Sequence, residues 1–244
     1  MAGHSKWANI RHRKGAQDAK RGKIFTKIIK EISVAVKTGG VDPDSNPRLR
    51  SAIQNARGQN MPKDNIERAI KKASGAGADT IEETTFEGYG PDGIAVFVEC
   101  ATDNNMRTVG NIRSYFKKSG GNLGKDGCLE FVFDRKGIFS IDAEGIEEDE
   151  FTLEMIDAGA ADVEMEDGMF TVSTEMEDFG NVQKKLNEMN IEPKEAGLRR
   201  IPTTTKEISK KTWESFSKLI ELIEDDDDVQ QVYHNVEFNE EFLN

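Results

Sequence analysis

Near residue 80 the hydrophobic period of this chain changes, and that change limits what it can fold into. Before it, apolar residues recur every three or four positions, as in helices; after it they alternate, as in strands. Ile24, Ile28, Ile32 and Val36 repeat every four residues with Phe25 and Ile29 beside them, and Gly39-Gly40 ends the pattern. Pro47 opens a second helix, with Leu49, Ile53 and Ala56 on one side and Ser45 or Asn46 as its N-cap. Pro62 opens a third, with Ile66, Ala69, Ile70 and Ala73 inward and Gly75 at its end. The stretch "SGAGAD" (74–79) then reads as a linker.

Beyond it, "TTFEGYGPDGIAVFVECATD" predicts a hairpin turning at "GPDG", with Ile94, Val96, Val98 and Cys100 on one strand face. A helix follows, with Met106, Val109, Ile112 and Phe116 as its stripe. "KKSGGNLGKDG" is a loop, and "CLEFVFD" reads as a strand with Leu129, Phe131 and Phe133 on one face. Residues 135–205 read as strand, helix, strand, strand, helix, strand, with Asp167-Gly168 turning the middle pair. That order is the ferredoxin-like signature. The tail adds one helix, on Trp213, Phe216, Ile220 and Ile223, and one strand, "VQQVYHNVEF". Neither the tail nor residues 79–134 makes a domain alone. The expected fold is therefore α/β (α+β) in three domains: a basic arm plus helical domain over 1–78, a discontinuous α/β domain over 79–134 and 206–244, and a ferredoxin-like βαββαβ domain over 135–205.

Charge divides along the same line. The chain carries a formal net charge of −12, yet residues 1–78 hold seventeen Lys and Arg against six Asp and Glu. The remaining 166 residues hold sixteen against thirty-nine. Such a split gives a polyanion one face to meet and another to avoid. On a helical wheel the apolar residues of 20–37 span about 140°, while Lys20, Lys23, Lys27, Lys30 and Lys37 gather opposite within about 100°; Arg21 falls in the apolar arc. An ordinary solvated face would intersperse both signs, and only Glu31 breaks this one. An anionic membrane surface is the other polyanion such a face suits. Phosphates along this row would release counterions and make binding steeply salt-dependent. The arm before it adds Lys6, Arg11, Arg13 and Lys14, with Trp7 as a stacking platform for an unpaired base. The expected nucleic-acid contacts are Lys6, Trp7, Arg11, Arg13, Lys14, Lys20, Arg21, Lys23, Lys27 and Lys30.

Other motifs carry less. "GYGPDG" (88–93) matches a dinucleotide fingerprint by letter, but a strand follows where a helix is needed. "GGNLGKDG" (120–127) imitates a phosphate loop without its Ser or Thr, although its Lys125 can still touch a phosphate backbone. The acidic runs "EEDE" (147–150) and "DDDD" (225–228) read as solvated faces, the second opposing a helix dipole and so expected to fray. His4 and His12 lie in the arm, and His234 reads as a satisfied strand histidine. Cys100 and Cys128 read as core thiols, which suits a reducing, cytoplasmic compartment. No nucleophile–base constellation can be assembled, so neither catalysis, cofactor, metal nor small-molecule substrate is expected. No run is long and apolar enough to suggest a membrane partner.

Three stretches, "MAGHSKWANIRHRKGAQDAKRGKIFTKIIKEI", "NPRLRSAIQNARGQNMPKDNIERAIKKA" and "YGPDGIAVFVECATDNNMRT", closely resemble the YebC family. That family includes PmpR-type regulators and the mitochondrial translational activator of cytochrome oxidase. The resemblance covers the whole chain and is strongest over 1–135. It implies a three-domain α/β protein with a helical N-terminal domain and no enzymatic activity. Bacterial members are described as transcriptional regulators that bind DNA; others act on translation at the ribosome, including at proline-rich nascent segments. Carried onto this sequence, it implies nucleic-acid contacts at Lys6, Arg11, Arg13, Lys14, Arg21, Lys23 and Lys27. DNA and ribosomal RNA, with the ribosome itself, are the partners to weigh. A protein-interaction adaptor built on the two acidic domains is a third reading.

Overall fold

The computed structural model describes residues 21–75, 80–237, 239 and 242; the arm, residues 1–20, lies outside the described residues. Among the described residues, seven α-helices and eight strands run in the order α1 (Arg21–Gly39), α2 (Pro47–Gly58), α3 (Lys63–Ser74), β1 (Glu82–Tyr89), β2 (Ala95–Thr102), α4 (Asn105–Lys118), β3 (Asn122–Leu123), β4 (Phe133–Asp142), α5 (Glu148–Asp157), β5 (Ala160–Glu166), β6 (Met169–Glu175), α6 (Phe179–Glu188), β7 (Glu195–Pro202), α7 (Lys210–Glu224) and β8 (Val229–His234). The chain is mixed α/β on two four-stranded sheets. Contacts among the described residues sort into two compact units, one within the ranges 1–30, 79–134 and 202–244, the other within 31–78 and 135–201.

In the first unit the strands are ordered β3-β1-β2-β8, each pair antiparallel. Alternation puts Ile94, Val96, Val98 and Cys100 on one face, as the sequence predicts. They pack with Ile112 and Phe116 of α4, Phe216, Leu219 and Ile223 of α7, and Val229 and Val232 of β8. The other face is covered by Leu129 and Phe133, which pack on Phe97 and Tyr233.

That cover corrects one expectation. "CLEFVFD" is not one strand: residues 128–132 are turns, and β4 begins only at Phe133. The buried Glu87 carboxylate accepts hydrogen bonds from the backbone N–H of Gly127 (2.9 Å) and Leu129 (2.5 Å), holding this segment out of the ladder. Leu129 and Phe133 turn inward, while Phe131 is 90% exposed. Cys128 is exposed rather than core, and Met106, in the first turn of α4, lies outside the buried stripe. Cys100 is buried, and burial raises its thiol pKa.

In the second unit β4, α5, β5, β6, α6 and β7 give the expected βαββαβ unit, with strand order β5-β6-β4-β7. Asp167 and Gly168 both take positive φ (50° and 74°) at the β5–β6 hairpin, which the sequence signals by its Asp-Gly pair. Phe139 stacks on Phe179 and Phe151 leans on Phe170, with centroids 4.6 and 4.5 Å apart. The "EEDE" run begins α5, where Glu147 caps the backbone N–H of Glu150 and acids suit the dipole. Asn46, one of the two expected caps, accepts from the Leu49 N–H and donates to the carbonyls of Ala35 and Gly40 (both 2.8 Å), tying the end of α1 to the start of α2. Asn55 of α2 exchanges two hydrogen bonds with the backbone of Ala196 on β7.

Candidate nucleic-acid interface

Of the ten expected contacts, Lys6, Trp7, Arg11, Arg13, Lys14 and Lys20 lie outside the described residues. Arg21 begins α1. Lys23, Lys27 and Lys30 follow on one side of the helix, as the wheel predicts, but they do not form an open ridge. The three ammonium groups reach the C-terminal end of α7 and the acidic run after it. Lys23 Nζ meets Asp225 Oδ2 at 2.8 Å and the Asp225 carbonyl at 2.9 Å. Lys27 Nζ donates to the Glu224 carbonyl at 2.9 Å. Lys30 Nζ donates to the Asp227 carbonyl at 2.8 Å and to Asp228 Oδ1 at 2.7 Å. Three cations thus sit where a helix leaves carbonyls unsatisfied and its dipole negative. The expected fraying of "DDDD" is corrected for the same reason: opposite charge and hydrogen bonds hold the run.

Asp228 is the centre of this arrangement, its residue only 3% exposed. Besides Lys30, its carboxylate accepts from Arg107 (2.7 Å), the Thr108 hydroxyl (2.8 Å) and the Thr102 hydroxyl (3.1 Å). An ionised carboxylate survives burial only when its lone pairs are filled in this way. Burial pushes its pKa up, but the bonds from Lys30, Arg107 and Thr108 outweigh that and hold it at about 2. Arg107 is bound in turn to Asp103 (2.8 Å), and its pKa is raised by its bonds to Asp228 and Asp103. Asp226 accepts from Asn111 Nδ2 and the Tyr115 hydroxyl, both at 3.0 Å; burial and then that bond push Tyr115 up to about 12. Desolvation lowers the pKa of Lys27, against the pull of Glu224, Asp227 and Asp226.

The residues the sequence reading missed are therefore Asp225, Asp228, Arg107, Thr102 and Thr108. The signal was present as two uncompensated charge runs of opposite sign, some 200 residues apart; no local pattern pairs them. His234 is as expected: its ring meets Phe216 edge-on at 5.2 Å and Nδ1 accepts the Val236 N–H. Among the described residues no group of three His, Cys, Asp or Glu side chains could hold a metal ion, and no helix is long and apolar enough to cross a membrane.

Fold and site define a class first: a mixed α/β protein on two antiparallel sheets, with a basic N-terminal region ahead of acidic α/β units. Family models for the "TACO1/YebC protein N-terminal domain" and the "TACO1/YebC second and third domain" match residues 5–76 and 81–236. The chain belongs to the TACO1/YebC family. A probable transcriptional regulatory protein from Amoebophilus asiaticus is 52% identical over 99% of this chain and 100% of its own length. One from Clostridium botulinum is 53% identical over 98% of both. The crystal structure of a conserved hypothetical protein from Aquifex aeolicus superposes with a TM-score of 0.85 at 41% identity, covering 98% of this chain and all of that one.

Proposed function

We propose that this protein is a non-enzymatic regulator of gene expression that grips DNA through its N-terminal basic arm. Residues 1–20 hold five Lys and Arg against one Asp, and that excess carries the reading. The contacts are Lys6, Arg11, Arg13, Lys14 and Lys20, with Trp7 against an exposed base and Arg21 at the start of α1. Lys27 and Lys30 serve to seat α1 on α7, and Lys23, paired with Asp225 and more exposed than Lys30, marks the margin of the interface. The relatives' designation as probable transcriptional regulatory proteins supports the class.

The test is fluorescence anisotropy with a duplex of about 30 bp over a range of KCl concentrations. Reversing Arg11, Arg13 and Lys14 to Glu should cost at least about tenfold in affinity near 0.1 M salt and flatten the log–log salt slope by about 2.7. An unchanged slope would retire the arm. Tighter binding of a structured ribosomal RNA than of any duplex would move the target from DNA to RNA.

A further inference from the structure

Between Asp103 and Asp126 the chain carries Arg107, Arg113, Lys117, Lys118 and Lys125 and no acid, inside a region otherwise rich in acids. Arg107 is committed to Asp228 and Asp103. The other four are exposed, and their side chains make no ion pair or hydrogen bond with another described residue. Arg113 and Lys117 are four apart on α4, facing away from Ile112 and Phe116, which are completely buried. Lys118 flanks them at the helix end.

The chain then turns sharply. Gly120, at φ +75°, takes the left-handed position after the helix, and the Gly121 N–H returns to the Phe116 carbonyl at 2.8 Å. A side chain at Gly121 would meet the Tyr89 carbonyl at 2.5 Å, so only glycine lets the backbone press this closely on β1. The turn delivers the chain into β3, the edge strand, and out again at Lys125. Lys117 and Lys118 therefore enter, and Lys125 leaves, the same sheet edge. One aromatic ring is exposed on the strand beside it: Tyr89, whose backbone pairs with Asn122 of β3, at 42%.

We propose that this edge is a second nucleic-acid contact. Arg113, Lys117, Lys118 and Lys125 take the phosphodiester backbone, while Tyr89 offers its face to an unpaired base. Cations with no counterion among the described residues, together with an exposed ring, suit a single strand. The inference rests on the reading that the chain binds nucleic acid, but on residues the arm does not supply.

The experiment uses the full chain and a labelled single strand of about 20 nucleotides, with anisotropy read across KCl concentrations. Reversing Lys117, Lys118 and Lys125 to Glu should weaken binding at least about tenfold and flatten the salt slope by about 2. Tyr89→Leu should weaken single-strand binding about fivefold or more and leave duplex binding unchanged. Neutral Gln replacements at the three lysines, checked by circular dichroism, should reproduce the loss in a folded protein. If both lysine variants bind with the wild-type slope while the arm variant loses affinity, this edge is not a contact and the arm reading stands. If the lysine variants lose affinity and the arm variant does not, the edge stands and the arm reading falls. Wild-type binding to phosphatidylserine vesicles but to no oligonucleotide would overturn the inference in favour of a membrane surface.

Discussion

Helix α1 and the end of helix α4 both present basic side chains at helical spacing, Lys23, Lys27 and Lys30 on the first and Arg113 and Lys117 on the second, and the fold treats the two rows differently. On α1, Lys23, Lys27 and Lys30 spend their charge on the carbonyls and carboxylates at the end of α7. On α4, Arg113, Lys117 and Lys118 point to solvent with no acid nearby in sequence. A one-sign row on a helix shows that a counter-charge is needed; it does not show whether the protein or a ligand supplies it. The first row is structural because its partners are built in, and the second is open because none of the described residues pairs with it.

The largest expected effect comes from deleting the built-in partner. Asp228→Ala leaves Lys30 and Arg107 in a site built around a carboxylate and should destabilise the chain by about 3–5 kcal/mol in urea unfolding, as loss of one member of a buried pair does. A cost under about 1 kcal/mol would place the aspartate in solvent and erase the contrast between the rows. Next in size is the direct comparison of the lysines. Lys30→Met should cost about 2–4 kcal/mol, whereas Lys117→Met should stay within about 0.5 kcal/mol. Equal costs would mean that both rows are solvated faces.

Acid should reveal the same asymmetry. A carboxyl whose pKa in the fold is about 2 binds fewer protons folded than unfolded, where aspartate titrates near 3.8. Its stabilisation is present above that unfolded value and is lost as pH falls through the folded one, on the order of 2 kcal/mol between about pH 5 and 2. Urea midpoints across that range should fall, and Asp228→Asn should flatten the fall. The smallest effect concerns Tyr115, whose hydroxyl donates to Asp226. Tyr115→Phe should cost about 1 kcal/mol and remove from the absorbance titration a tyrosine that ionises at about 12.

Much of the fold was legible because alternation and the 3.6-residue period report which side of an element is buried. Ile94, Val96, Val98 and Cys100 lie inward as that rule requires, and Asp167-Gly168 turns as its residues demand. The period failed where something other than a ladder held the chain. Phe131 alternates correctly with Leu129 and Phe133, yet Glu87 binds the preceding backbone as turns and leaves the ring outside. The site was legible as charge but not as partnership. Lys30 and Asp228 are 198 positions apart, and only packing α1 against the end of α7 brings them together. "DDDD" and "EEDE" are alike as strings. One begins a helix, where its charge is welcome in water; the other ends a helix and is stable only with ammonium groups upon it.

Amine reactivity tests the central claim most directly. Brief acetylation of the folded chain, read residue by residue by mass spectrometry, should modify Lys117, Lys118 and Lys125 rapidly and Lys30 at least about tenfold more slowly, because burial and its ion pair with Asp228 withhold the free amine. Protection should vanish for Lys30 in Asp228→Ala. Equal rates at all four lysines in the wild-type protein would contradict the account, since α1 would then offer its charge to solvent as freely as α4 does.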